Sequence, residues 1–447
     1  MPYSRELTKI VRAGSCIGCG ACVALVKSGN ASMTDTPRGP VPSLNGSITF
    51  HLNPVEFCPG KGIHYPDLYS KVFSGYPDNW LTGHIDTVHI GYAKDDKIRN
   101  NAASGGIISS TLIYLLQTAK IDAAIVVKQG LPVPEKARVI LAHTAEEIMA
   151  SSQSVYIPVS TLDILPKLEK GKRYAITCLP EQSAVLRKMK LAGYEPARQV
   201  KYILGPYTGT ALYPNAIDHF LRTNRIKRTD QISSLKWRAG EWPGHLEIIT
   251  DSGKVITSKK VYYNFLIPFF ITRASLQSMD FCNEFADLSV GDAWSPDYEK
   301  QGKGFSVVVS RNPEMTGILA EMRKKGLIVL EENDAGAASE MHGHMIDFKK
   351  RGSYIRNRMR RIAGRKSPDF GYAPQNLHFS RILVELVIDF IFLLSGNRVS
   401  RFIMTLFPEK FLGPIFNGLR LKWKNISKPA KRKGLREYRV KISEPWQ

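Results

Sequence analysis

The run Thr87-Val-His-Ile-Gly-Tyr92, followed by Asn101-Ala-Ala-Ser104-Gly105-Gly106 and then Ile107-Ile-Ser-Ser-Thr-Leu-Ile-Tyr-Leu-Leu116, decides the fold. A short strand leads through small residues into an amphipathic helix, the opening of an α/β unit. Downstream the pattern repeats. Strands are expected at Ala123-Ala-Ile-Val-Val127, Arg138-Val-Ile-Leu-Ala142, Arg173-Tyr-Ala-Ile-Thr177 and Tyr202-Ile-Leu204, with helices opened by Thr144 and running from about Glu181 to Leu191. This alternation predicts α/β layers around a central mixed sheet, at least partly parallel. Between about 230 and 265 the signal becomes short strands, His245-Leu-Glu-Ile-Ile249 and Val255-Ile-Thr257 about the turn Asp251-Ser-Gly253, an antiparallel hairpin insertion. A strand at Phe305-Ser-Val-Val-Val-Ser310 and a helix near 314–325 complete a mixed α/β and α+β core.

Upstream of this core, Cys16-Ile-Gly-Cys19-Gly-Ala-Cys22 has the C-x2-C-x2-C spacing with which three thiolates reach three corners of one iron-sulfur cubane. Gly18 and Gly20 let the backbone fold closely around the sulfides, and Cys58-Pro59 supplies the fourth corner. Val26 stands where a fourth cysteine of the common ferredoxin run would be, so one 4Fe-4S cluster is expected rather than two. Zinc sites usually set cysteines out as separated pairs, which favours the cluster over zinc; inert buried thiols are the plainer alternative. The metal ligands are therefore Cys16, Cys19, Cys22 and Cys58 of an N-terminal ferredoxin-like cluster lobe, residues 1–80. Its Pro37, Pro40, Pro42 and Pro54 are expected to break any long element.

At 447 residues, two or three domains are expected: the lobe, a catalytic core over 81–335, and a basic helical tail over 336–447. The net charge is +22, and from Met345 onward 23 Lys and Arg face 7 Asp and Glu. Such an excess points to nucleic acid, an acidic partner or an anionic membrane face. No zinc-finger, helix-turn-helix or aromatic RNA-binding motif accompanies it, so nucleic acid is not expected. Leu383-Val-Glu-Leu-Val-Ile-Asp-Phe-Ile-Phe-Leu-Leu394 puts Glu385 and Asp389 on one helical face and leaves the rest apolar. About a dozen residues is too short to span a bilayer but suits an interfacial helix; a core-packed helix fits the same pattern. With no secretory leader, no spanning run and few, crowded cysteines, the expectation is a cytoplasmic protein, peripheral at most on the inner membrane face.

Two further constellations suggest cofactor binding. Asn101, Ser104, Gly105 and Gly106 open a helix whose exposed N–H groups suit a phosphate or the polar edge of a flavin, although Ser-Gly-Gly is also an ordinary cap. Asp287-Leu-Ser-Val-Gly291-Asp292-Ala-Trp294 sets two carboxylates and an indole around a glycine just after an expected strand, where they could hold a ribityl chain or ribose and stack on a ring. Solvated acids at a strand end are the alternative. His342-Gly-His344 is expected to lie in a solvated loop, and Cys178 and Cys282 to be ordinary buried thiols.

Taken in order, Cys16 to Cys22, Ser104-Gly105-Gly106 before a helix, Pro180-Glu-Gln182-Ser-Ala-Val-Leu-Arg187-Lys188 and Ala286-Asp-Leu-Ser-Val-Gly-Asp-Ala-Trp294 make the chain resemble the coenzyme F-420 hydrogenase/dehydrogenase beta-subunit family from about residue 10 to 325. The resemblance implies an iron-sulfur flavoprotein in which FAD exchanges hydride with a deazaflavin or other small substrate while clusters carry single electrons. It also implies a second set of core cluster ligands. At the corresponding places this chain has Glu181, Tyr207, Ser275 and Ser278, with Asp280 keeping the acid that follows. Four oxygen donors suit a sulfide cluster poorly, so that cluster is not expected.

The resulting expectation is an oxidoreductase with a 4Fe-4S cluster and FAD, served by an electron donor such as ferredoxin or reduced deazaflavin. The alternative is a non-catalytic electron-transfer or scaffold subunit in bacterial polysaccharide biosynthesis.

Overall fold

Alternate residues of the core strands face opposite ways, and in this chain both faces are apolar. Ile125, Ile176 and Ile203 face one side, while Ala124, Val126, Ala175, Tyr202 and Leu204 face the other. A sheet greasy on both faces must be covered twice. The cysteine lobe and the Pro180–Leu191 helix cover the first, and the Ile107–Gln117 and Pro313–Lys324 helices the second.

The computed structural model describes residues 2–226, 231–259 and 264–444. Its strands are β1 (Val26–Thr36), β2 (Gly39–Phe50), β3 (Thr87–Ala93), β4 (Ala123–Gln129), β5 (Ala137–Ala142), β6 (Tyr174–Thr177), β7 (Val200–Pro206), β8 (Ile232–Ala239), β9 (His245–Thr250), β10 (Val255–Lys259), β11 (Leu288–Asp292), β12 (Ser306–Ser310), β13 (Ile328–Glu332), β14 (Tyr372–Pro374) and β15 (Val440–Ile442). Eight of them form the central sheet, ordered β13-β3-β12-β11-β7-β6-β4-β5. The four from β11 to β4 run parallel and the remaining pairings are antiparallel, so the sheet is mixed, as expected. The expected helix opened by Thr144 carries a complete capping box with Glu147.

The hairpin β9–β10 is joined by β8 into a three-stranded antiparallel unit around buried Trp237. Residue 230 and residues 260–263 of that stretch lie outside the described residues.

The lobe departs from the expectation that its prolines break every long element. It has an N-terminal helix, Pro2–Ala13, and a long hairpin, β1–β2, that contains Pro40 and Pro42. The two prolines are two residues apart, so their missing N–H groups fall on one edge of a two-stranded ribbon, which has an edge to spare. Asp35 of β1 ties this ribbon to the start of β5, through Arg138 and through Lys136 just before it at 3.1 Å.

The C-terminal segment is also not a free tail. Strand β15 returns to pair with β14, and Ser443 bonds the lobe through His64 Nε2 at 2.9 Å. Helices Phe379–Ser395, Arg398–Thr405 and Glu409–Arg432 form an excursion between these two strands.

Candidate functional site

Cys16, Cys19, Cys22 and Cys58 line one hollow, with Leu7, Ile10 and Pro42 among its apolar walls. The N-terminal helix ends at Ala13, and Cys16 and Cys19 lie on the extended link beyond it. The turn at Gly18 (φ 73°) aims its N–H at Cys16 Sγ, 3.4 Å away. Gly20 (φ 84°) opens the short helix Ala21–Ala24 that carries Cys22, and a Cβ there would fall 2.3 Å from Ser160 Oγ. Cys19 is pinned by its carbonyl, which accepts from Leu162 N at 2.8 Å. Cys58 arrives on a separate turn that packs tightly on the first: a Cβ on Gly60 would lie 2.7 Å from Ser15 O. Only glycine allows that approach.

Burial pushes all four thiols up, Cys58 to about 12, and repulsion from neighbouring thiols adds to the effect at Cys19, Cys22 and Cys58. A set of soft donors that resists ionising alone is what a cationic iron centre would stabilise. Among the described residues, no three His, Cys, Asp or Glu side chains converge closely enough for a single metal ion. Tetrahedral zinc would need its sulfurs roughly 3.8 Å apart, given a Zn–S bond of about 2.3 Å. Four soft thiol donors around one hollow with mostly apolar walls are the donor chemistry that an iron-sulfur cluster would take.

The flavin candidates divide. Ser306 of β12 stands opposite Gly91 of β3 and Asp292 of β11. Its hydroxyl accepts from Gly105 N at 2.9 Å and donates to Ser104 Oγ at 3.1 Å, while Ser104 donates to Phe305 O at 2.6 Å. These bonds bring the Ser104-Gly105-Gly106 turn to the same sheet end as Asp292. There Asp292 accepts from Arg238 Nη1 at 3.0 Å and from Trp242 Nε1 at 3.2 Å, and the Trp294 ring lies 4.8 Å from that of Trp242. Gly291 makes room for Tyr207, whose ring would be 2.4 Å from a Cβ. Asn101 is exposed and donates to Met149 O at 2.6 Å.

Asp287 lies elsewhere, because the motif expected to follow a strand is itself the strand β11. Five residues at about 3.3 Å each separate it from Asp292 by roughly 16 Å. Its carboxylate accepts from Arg187 Nη2 at 2.6 Å, Asn312 Nδ2 at 2.6 Å and Ile203 N at 2.8 Å, which is structural work.

Sequence reasoning missed Arg99. Its guanidinium lies 3.6 Å over the Tyr92 ring and donates through Nε to Gly304 O at 3.0 Å. Among the described residues its buried Nη2 has no partner. Its Cα is 3.3 Å from where a Cβ on Gly106 would lie, so the residue carrying this cation borders the start of the Ile107–Gln117 helix. A diphosphate would find both there. In the sequence Arg99 is one charge in a polar link, with no spacing to mark it.

Three of the four oxygen-bearing positions gather around a lysine. Lys349 Nζ donates to Ser278 Oγ at 2.6 Å and to Ser275 O at 3.0 Å. Burial pushes this ammonium down to about 8, against the pull of the Glu181 carboxylate. Tyr207 faces Phe281 and His342 instead. Asp280 is buried beside Glu284, and its carboxyl is held well above the usual range by burial and by that neighbour. Lys350 pairs with Glu284, which also accepts from Tyr69 Oη.

His342 is not solvated. It is buried against the Tyr207 and Phe281 rings, each 5.2 Å away, and burial pushes it down to about 4. Cys178 and Cys282 are buried, with thiols pushed up by desolvation.

Two family models match, the coenzyme F-420 hydrogenase/dehydrogenase beta subunit N-terminal part over residues 88–166 and its C-terminal part over 171–335, together more than half of the chain. A coenzyme F-420-dependent sulfite reductase of Methanocaldococcus jannaschii is 25% identical over 348 residues, 74% of this chain and 49% of its own length. The chain thus spans about half the length of that relative. An uncharacterised protein of the same organism is 25% identical over 244 residues, covering 53% of this chain and 84% of its own. The F-420-reducing [NiFe] hydrogenase complex from Methanosarcina barkeri contains a chain of the same fold, with a TM-score of 0.52 and 18% identity over 66% of this chain and 98% of that one. The mixed sheet, the motif order and the paired models agree: the chain belongs to the coenzyme F-420 hydrogenase/dehydrogenase beta-subunit family.

Proposed function

We propose that this protein is an iron-sulfur oxidoreductase subunit that holds one 4Fe-4S cluster on Cys16, Cys19, Cys22 and Cys58 and a flavin near Arg99, Ser104–Gly106, Asp292 and Trp294. The observation that carries the reading is the single hollow lined by all four thiols. Such a cluster supplies one-electron steps and a flavin couples them to hydride transfer. The chain's own residues bind and orient. The glycine turns set the thiols, Arg99 offers a cation to a diphosphate, and the Trp242–Trp294 pair offers an apolar ring surface. The sulfite reductase relative, named for coenzyme F-420, makes a deazaflavin the first substrate class to try, with ferredoxin or reduced deazaflavin as donor. Anaerobic purification with iron, sulfide and flavin quantified tests both halves. About four irons and one flavin per chain are expected. Iron without flavin would overturn the flavin half, and a protein without iron the whole.

One observation favours a second reading. The ammonium of Lys349 where the family resemblance implies further ligands leaves one cluster, which suits an electron-transfer or scaffold subunit, for example in polysaccharide assembly. Turnover of reduced deazaflavin by the purified chain would exclude that reading.

A further inference from the structure

The Phe379–Ser395 helix packs Ile388, with Val384 and Phe392, on the core, but it buries charge beside them and leaves most of its large apolar side chains outside. Arg381 and Glu385 are fully buried; Arg381 Nη1 binds Glu385 Oε2 at 2.7 Å and its Nε binds Asp347 Oδ2 at 2.9 Å, while Arg356 closes on the same glutamate. Holding these polar groups inside turns Leu383, Leu386, Val387, Phe390 and Leu394 toward solvent. Phe390 is 58% exposed. The outward apolar surface continues through Phe402 and Leu406, each 62% exposed, to Leu419 and Ile426 of the Glu409–Arg432 helix. Of the 26 exposed large hydrophobic side chains among the described residues, 18 fall between 379 and 426. Scattered exposed hydrophobes need no account, but a concentration on successive helices marks a contact surface.

Charge identifies the occupant. From Phe390 to Arg436 there are eleven Lys and Arg and one acid, Glu409. Arg398, Lys410, Arg420, Lys422, Lys424 and Lys428 are exposed among the apolar residues. Long basic side chains flanking an apolar face are how an interfacial helix meets lipid headgroups. A second copy would bring like charge against like, since the chain carries +22. Among the described residues, no helix is long and apolar enough to cross a membrane. The family models end at residue 335, before this excursion begins.

We propose that the excursion between β14 and β15 docks on an anionic lipid bilayer, its apolar face in the interface and its basic side chains at the headgroups. The inference does not depend on the redox reading. Its test is co-sedimentation of the full chain with vesicles of phosphatidylcholine alone and of phosphatidylcholine mixed with phosphatidylglycerol. Binding to the mixed vesicles and weak binding to the neutral ones are expected. Val387→Asp with Phe390→Asp should abolish binding without lowering the melting temperature, because neither side chain is buried. Lys422→Gln with Lys424→Gln should weaken it roughly 25-fold at low salt, about five-fold per charge. Equal binding to neutral vesicles, or binding that survives the double aspartate variant, would overturn the proposal. So would a dimer that this variant dissociates, or capture by an acidic polypeptide, if either came without vesicle binding.

Discussion

The hollow at Cys16 and the cluster around Lys349 are two sets of converging donor groups with opposite solutions. The first is lined by four thiols that burial keeps protonated, set by backbone turns that only glycine allows. The second is filled by an ammonium bonded to a serine hydroxyl and a serine carbonyl, with a carboxylate nearby. The contrast teaches that sulfur leaves a site in need of a soft cation from outside, whereas oxygen donors can be satisfied by a hard cation that the chain supplies itself.

The strongest way to break the comparison is to remove one sulfur. Cys58→Ser should strip the protein of iron and acid-labile sulfide, measured per chain after anaerobic purification; full retention would show that the hollow is not the iron site. Lys349→Ala leaves Ser278 Oγ and Ser275 O without their buried donor and should lower the unfolding free energy by about 3 kcal/mol in urea melts. A neutral result there would mean water replaces the ammonium.

Acid sharpens the contrast on the oxygen side. His342 stays neutral in the fold down to about pH 4, against an ordinary value of 6.5, so below that value the unfolded chain binds the extra proton. Stability should therefore fall as pH drops from about 6.5 to about 4, by roughly 3 kcal/mol, and His342→Phe should flatten that part of the curve. The smallest expected effect is none at all. Ser275→Cys with Ser278→Cys should leave the iron content unchanged while Lys349 holds the space, and added iron would erase the distinction between the sites.

Much of the fold was legible because the core strands carry local signals. Runs such as Ala123–Val127 and the Thr144–Glu147 cap depend on neighbours in sequence. The cysteine quartet was legible for the same reason, except that Cys58 needed the glycine at 60 to reach its partners. What escaped depends on pairing across the chain. Pro40 and Pro42 look like breakers unless the spare edge of a two-stranded ribbon is known. Asp287 and Asp292 look like a pair until β11 runs between them. Lys349-Lys350-Arg351 reads as the start of a solvated basic tail, yet all three are buried, because Ser278, Glu284 and the carbonyls of Lys431 and Lys433 wait for them from distant positions. Part of the basic excess thus neutralises the interior.

The stitching of Ser443 to His64, with β15 laid on β14, has a mechanical consequence. Both feet of the helical arch stand on the same footing as the sulfur-lined chamber, so the arch cannot swing independently of it. Whatever grips the arch also sets which way the mouth of that chamber points.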